Sequence, residues 1–183
     1  MTGISKALPV DLGAMLLPDG AGGETLPSKG TLSNIGAVAS GTLQGTIIPV
    51  VAGSVISTLT FCSGTTAATT PTNQWAAISR YSDRAVLGKS PDLSTAPIAA
   101  EALMPHVLTS PVTITATDHY VFWLLVVASV VPTMRGATAN NALYAQEKRA
   151  AMRADTGLTV PGGLGAATAA YTNTTNMLYC KWS

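Results

Sequence analysis

From residue 31 onward, apolar and polar positions alternate with a period nearer two than the 3.6 of a helix. β-Rich runs at residues 34–40, 42–51 and 53–63 are separated by Gly41, Gly53 and Gly64, small breakers of the kind that punctuate all-β chains. In the third run Val55, Leu59 and Phe61 fall on one parity, and Ile56, Thr58, Thr60 and Cys62 on the other. Residues 74–81 alternate again: Trp75, Ala77, Ser79 and Tyr81 share one face, Ala76, Ile78 and Arg80 the other. Pro49 points to an edge or a bend, and Pro111 to an edge or bulge in a strand over 108–117. A short strand is expected at 84–88, and a closing one at 177–182 with Leu178, Cys180 and Trp182 on one face.

Residues 120–131 are the strongest element. Nearly every position is apolar, the pattern of a strand covered on both faces, inside a sandwich or against another subunit. Two stretches depart from the β pattern. Residues 142–154 (ALYAQEKRAAMRA) are Ala-rich, with Asn140 or Asn141 available as a cap, and predict a short helix. Residues 156–175, rich in Gly, Ala and Thr, predict a loop. Together these elements predict an all-β fold, an antiparallel β-sandwich or jelly roll of about eight strands, in a domain spanning 31–183.

Residues 1–30 form a different kind of segment. Pro9, Pro18 and Pro27, set among Gly13, Gly20, Gly22, Gly23 and Gly30, exclude a long helix. Between them lie Leu8, Val10, Leu12, Met15, Leu16 and Leu17, more apolar surface than a solvated linker carries. The expectation is an extended N-terminal docking arm whose apolar side chains enter pockets on a partner.

Composition sharpens this picture. The chain is 47% hydrophobic and only 10% charged, against about 25% charged in an ordinary soluble domain. Its longest wholly apolar run, residues 120–128, is nine residues, where a membrane-spanning helix needs about twenty. A formal net charge of +1 argues against nucleic acid or an acidic membrane as the main partner. Pro9, Asp11 and Gly13 interrupt any apolar core of a secretory signal, so synthesis and assembly in a cytoplasm are expected. Residues 31–79 contain no Asp, Glu, Lys or Arg, and between Glu101 and Arg135 the one charge is Asp118. Thr and Ser take the place of charges there. Such faces desolvate more cheaply than charged ones, which favours a homo-oligomer over a merely Thr-rich solvated sheet.

No catalytic, cofactor or metal constellation stands out. His106 and His119 are the only histidines and belong to no ligand-spacing pattern; His106, beside Pro105, reads as a surface or loop residue. Asp118 and His119 are adjacent, so on a strand they face opposite ways, and Asp118 reads as the end of a turn. Cys62 and Cys180 read as small core hydrophobes. Gly162, Gly163 and Gly165 read as loop, and Lys148, Arg149 and Arg153 as a solvated helix face.

The run FCSGTTAATTPTNQW at 61–75 carries a resemblance, joined by LTSP at 108–111, the aromatic-apolar strand from Tyr120, and VPTMRG at 131–136. In these motifs the chain resembles small β-sandwich virion proteins of tailed bacteriophages, particularly those infecting actinobacteria. The likeness spans about residues 35–136 and, more loosely, the final strand. It implies a non-enzymatic, jelly-roll-like and often trimeric module. The expected function is therefore a capsid decoration or head-fibre protein, assembled in the host cytoplasm onto the capsid exterior. Its partners would be the major capsid protein and copies of itself, with Leu8, Val10, Leu12, Met15, Leu16 and Leu17 as the capsid anchor. The alternative is a tail-fibre or receptor-binding tip that stacks a host glycan on Trp75, Tyr81 or Trp182.

Overall fold

The computed structural model describes residues 22–24, 32–138 and 151–183. In chain order the strands are β1 (Gly23–Glu24), β2 (Ser33–Ala37), β3 (Thr42–Val50), β4 (Val55–Cys62), β5 (Thr69–Arg80), β6 (Val86–Lys89) and β7 (Leu103–Thr113). They continue with β8 (Asp118–Val130), β9 (Thr133–Thr138), β10 (Ala151–Thr156), β11 (Thr172–Thr174), β12 (Asn176–Leu178) and β13 (Cys180–Trp182). The fold is all-β. Every ladder is antiparallel, in a six-stranded sheet ordered β11-β10-β3-β8-β5-β6, a four-stranded sheet ordered β1-β13-β4-β7 and a three-stranded sheet ordered β12-β9-β2.

The main core lies between the six- and four-stranded sheets. Ile48, Ala76, Ile78, Tyr120, Phe122 and Leu124 face Ile56, Leu59, Phe61, Met104, Leu108 and Cys180. Ile35, Met134 and Leu178 of the three-stranded sheet join the same cluster. Strand β8 alternates as its period demands: Tyr120, Phe122, Leu124 and Val126 enter this core, while Val121, Trp123 and Leu125 enter a second one on the opposite face. β5 follows the predicted parity, sending Ala76 and Ile78 to the first core and Trp75 and Ala77 to the second.

The second core is closed by the chain itself. After β10, Gly157 turns the backbone at φ +73°, a value that costs a glycine little. The chain then lays Leu158, Leu164 and Tyr171 over Trp75, Trp123 and Leu125. Trp75 Nε1 donates to the Thr159 carbonyl at 2.9 Å, and Lys89 Nζ donates to the Pro161 and Leu164 carbonyls at 3.0 and 2.9 Å. Tyr171 stacks on Tyr81 with centroids 5.5 Å apart, and its hydroxyl donates to the Arg80 carbonyl at 3.1 Å. Gly45 stands opposite Trp123, where a Cβ would meet the indole at 2.7 Å, so the bare backbone makes room for the ring.

Several expectations are corrected in detail. The predicted helix fails at its C-terminal end: residues 151–154 belong to β10, whose pairing with β3 overrides the helical propensity of the Ala-rich stretch. The rest of that stretch, 142–150, lies outside the described residues. In β4 the register slips between Ile56 and Thr58, so Ile56 is buried together with Leu59 and Phe61 while Val55 is exposed. A bulge changes the parity at Ser57. The Ser183 carbonyl accepts the Ser57 and Thr58 amides there, at 2.7 and 2.9 Å. The closing strand splits into β12 and β13, which lie in different sheets, although Leu178, Cys180 and Trp182 still share the main core. Pro49 sits past the reach of β10, which pairs with β3 only over Thr42–Thr46, so its missing N–H falls on a locally free edge.

Candidate functional site

The expected anchor residues Leu8, Val10, Leu12, Met15, Leu16 and Leu17 lie outside the described residues. Of the segment read as an arm, Gly23 and Glu24 are placed: they pair with Trp182 and Lys181 at the edge of the four-stranded sheet. The glutamate accepts a hydrogen bond from the Tyr179 hydroxyl at 2.8 Å. Burial first, then this acceptor and its charge, push the Tyr179 phenol above its ordinary pKa.

That sheet presents an apolar outer face. Along β7, Met104, His106 and Leu108 turn inward, while Leu103, Pro105 and Val107 turn outward. Across the ladder they stand beside Cys62, Thr60 and Thr58 of β4. Leu103, Val107 and Val55 are 53%, 62% and 52% exposed, three of the most exposed large hydrophobics. The charges on this face, Glu24 and Lys181, lie at its β1–β13 side. A flat surface of Val, Leu, Pro and Thr desolvates readily and suits burial against another protein surface.

The aromatic residues named for a glycan platform are otherwise engaged. Trp75 is buried under the 157–171 segment. Tyr81 is stacked on Tyr171, and Trp182 packs edge-on against Phe122 at 5.3 Å.

His106 was expected at the surface, and the structure places it in the main core's wall. β7 begins at Leu103, five residues before the expected start, so His106 falls on the inward parity instead of in a loop. Neither ring nitrogen has a hydrogen-bond partner, and the nearest ring is Phe61, edge-on at 6.1 Å. Burial alone lowers its pKa to about 4, so the imidazole is neutral at physiological pH.

Asp118 opens β8 and ties its start to the turn after β5. It accepts the His119 amide at 2.7 Å and the Ser82 hydroxyl at 3.0 Å, and His119 Nδ1 stands 3.9 Å from its carboxylate. Arg153 is exposed on β10, whereas Lys148 and Arg149 lie outside the described residues. Cys180 is buried in the main core, which raises its thiol pKa, and Cys62 is half-buried on the outer side of β4. Among the described residues no cluster of His, Cys, Asp and Glu could hold a metal ion. No helix of these residues is long and apolar enough to cross a membrane.

Compared with known proteins, the chain matches no family model and no curated sequence.

Proposed function

We propose that this protein is a non-enzymatic virion structural protein of a tailed phage, a trimeric module that decorates the outer capsid surface. The observation that supports this most is the exposed Val55–Leu103–Val107 face of the four-stranded sheet, which is apolar, nearly uncharged and uncovered by any described part of the chain. Copies of the protein meet through that face, and the apolar residues at 8–17 hold the assembly to the major capsid protein. Each 100 Å² of apolar surface so buried contributes on the order of 2.5 kcal/mol before association costs, and many copies on one shell multiply it.

The experiment has two arms. Mass measurement of the full chain at micromolar concentration is expected to give a trimer; a stable monomer overturns the self-association. Deletion of residues 1–21, which spares β1, is expected to leave a folded domain that no longer co-sediments with capsids. Unchanged capsid occupancy would remove the arm from the proposal.

A further inference from the structure

Beside the assembly face, whose Val55 pairs with Thr113, the sandwich is open where the edge strand of each large sheet faces the other. β6 ends the six-stranded sheet and β7 ends the four-stranded one. Between them runs a groove of about 640 Å³, within the usual range of small-ligand clefts, roughly 300–1,000 Å³. Its two walls differ in chemistry.

One wall is cationic. Arg80, at the end of β5, pairs through Nη1 with Asp83 at 2.9 Å, and its covered Nε has no partner. Lys89 of β6 spends two of its three N–H donors on the Pro161 and Leu164 carbonyls, which fixes the ammonium and leaves one donor. The opposite wall carries the hydroxyls of Thr109, Ser110, Thr113 and Thr115, which make no hydrogen bond to any described residue. Gly88 and Val112 meet at the floor, where a Cβ on Gly88 would lie 2.5 Å from the Val112 methyl, so the lack of a side chain sets how closely the two edges approach. Among the described residues no carboxylate lines the groove.

We infer that this groove binds a carboxylate-bearing oligosaccharide. The cations match the carboxylate, the row of hydroxyls matches sugar hydroxyls, and the half-buried Leu87 offers an apolar surface to the C–H face of a sugar ring. An extended peptide fits less well. Strand addition needs a regular row of backbone donors, and on β7 the register is broken between Val107 and Val112, with Pro111 contributing no N–H. This inference does not rest on the capsid reading, because the groove is built from described residues remote in sequence from the arm.

The test titrates a galacturonic acid trimer into the full chain, with a glucose trimer as the neutral control, read by calorimetry and by amide shifts. The acidic trimer is expected to bind at least about tenfold more tightly than the neutral one, and more weakly as salt is added. Arg80→Met should remove about that factor. Thr113→Trp, at an exposed position, should block the groove while leaving the thermal midpoint in place. Equal binding of the two trimers, no binding of the acidic trimer at low millimolar concentration, or full binding by Thr113→Trp would each overturn the inference. Equally tight binding of an acidic peptide would overturn the saccharide assignment.

Discussion

The two large sheets use similar residues to opposite ends. The six-stranded sheet is buried on both faces, by the opposing sheet on one side and by residues 157–171 on the other. The four-stranded sheet is buried on one face and exposes Val55, Leu103 and Val107 on the other. A chain poor in charge can therefore be so for two separate reasons. Around β8 the missing charges reflect a strand wrapped by its own chain, and nothing is left over for a partner. On the outer side of β4 and β7 the same lack leaves a surface that water tolerates only moderately.

The largest expected break in this comparison is Trp123→Ala. The indole is fully buried in the second core and its Nε1 donates to Ser79 Oγ at 2.8 Å. Truncation should cost about 3–5 kcal/mol in urea unfolding. A loss below about 1 kcal/mol would mean that the 157–171 cover is not closed in solution.

A second test reaches the inner face of the four-stranded sheet through pH. In the unfolded chain His106 titrates at its ordinary 6.5, whereas folded it titrates at about 4. Its wall is apolar, with Met104 and Leu108 beside it on β7, Leu59 opposite it on β4 and Phe61 edge-on, and none of these brings a charge. The unfolded state thus binds the proton first. Stability from this group is complete above pH 6.5 and is lost as pH falls toward 4, by about 3 kcal/mol in all. Urea midpoints measured from pH 7.5 to 4 should show that limb in the wild type and a shallower one in His106→Leu.

The smallest effect belongs to the outer face. Val107→Lys should change the stability of the isolated chain by no more than about 0.5 kcal/mol, yet dissociate any oligomer seen by light scattering. A stable oligomer that ignores the substitution would assign self-association to another surface.

Much of this contrast was legible in the sequence, and the parts that were not have physical causes. The unbroken apolar run at 120–131 announced a doubly covered strand, because both parities of β8 meet hydrophobic neighbours. What covers it was hidden: Leu158, Leu164 and Tyr171 follow no period, and a segment of small residues lying flat on a sheet reads as loop. His106 was misread because Pro105 disguised the first part of β7, although a proline pointing outward on an edge strand breaks little. Val55 was assigned to the wrong face by one bulged serine, which no alternation pattern reveals. The anchor residues of the arm lie outside the described part of the chain, so the capsid reading rests on the outer face of β4 and β7.

The placement of β1 beside β13 also bears on synthesis. In the four-stranded sheet Gly23 pairs with Trp182, and β13 is the strand that joins β1 to β4. During translation the six-stranded sheet can assemble through β3, β5, β6 and β8 while its partner sheet is still short of a central member. Until residue 182 emerges, the inner faces of β4 and β7 lack part of their sheet, and such long-range pairing slows folding. The nascent protein is thus adhesive until β13 has emerged, while neighbouring copies made on the same message are close.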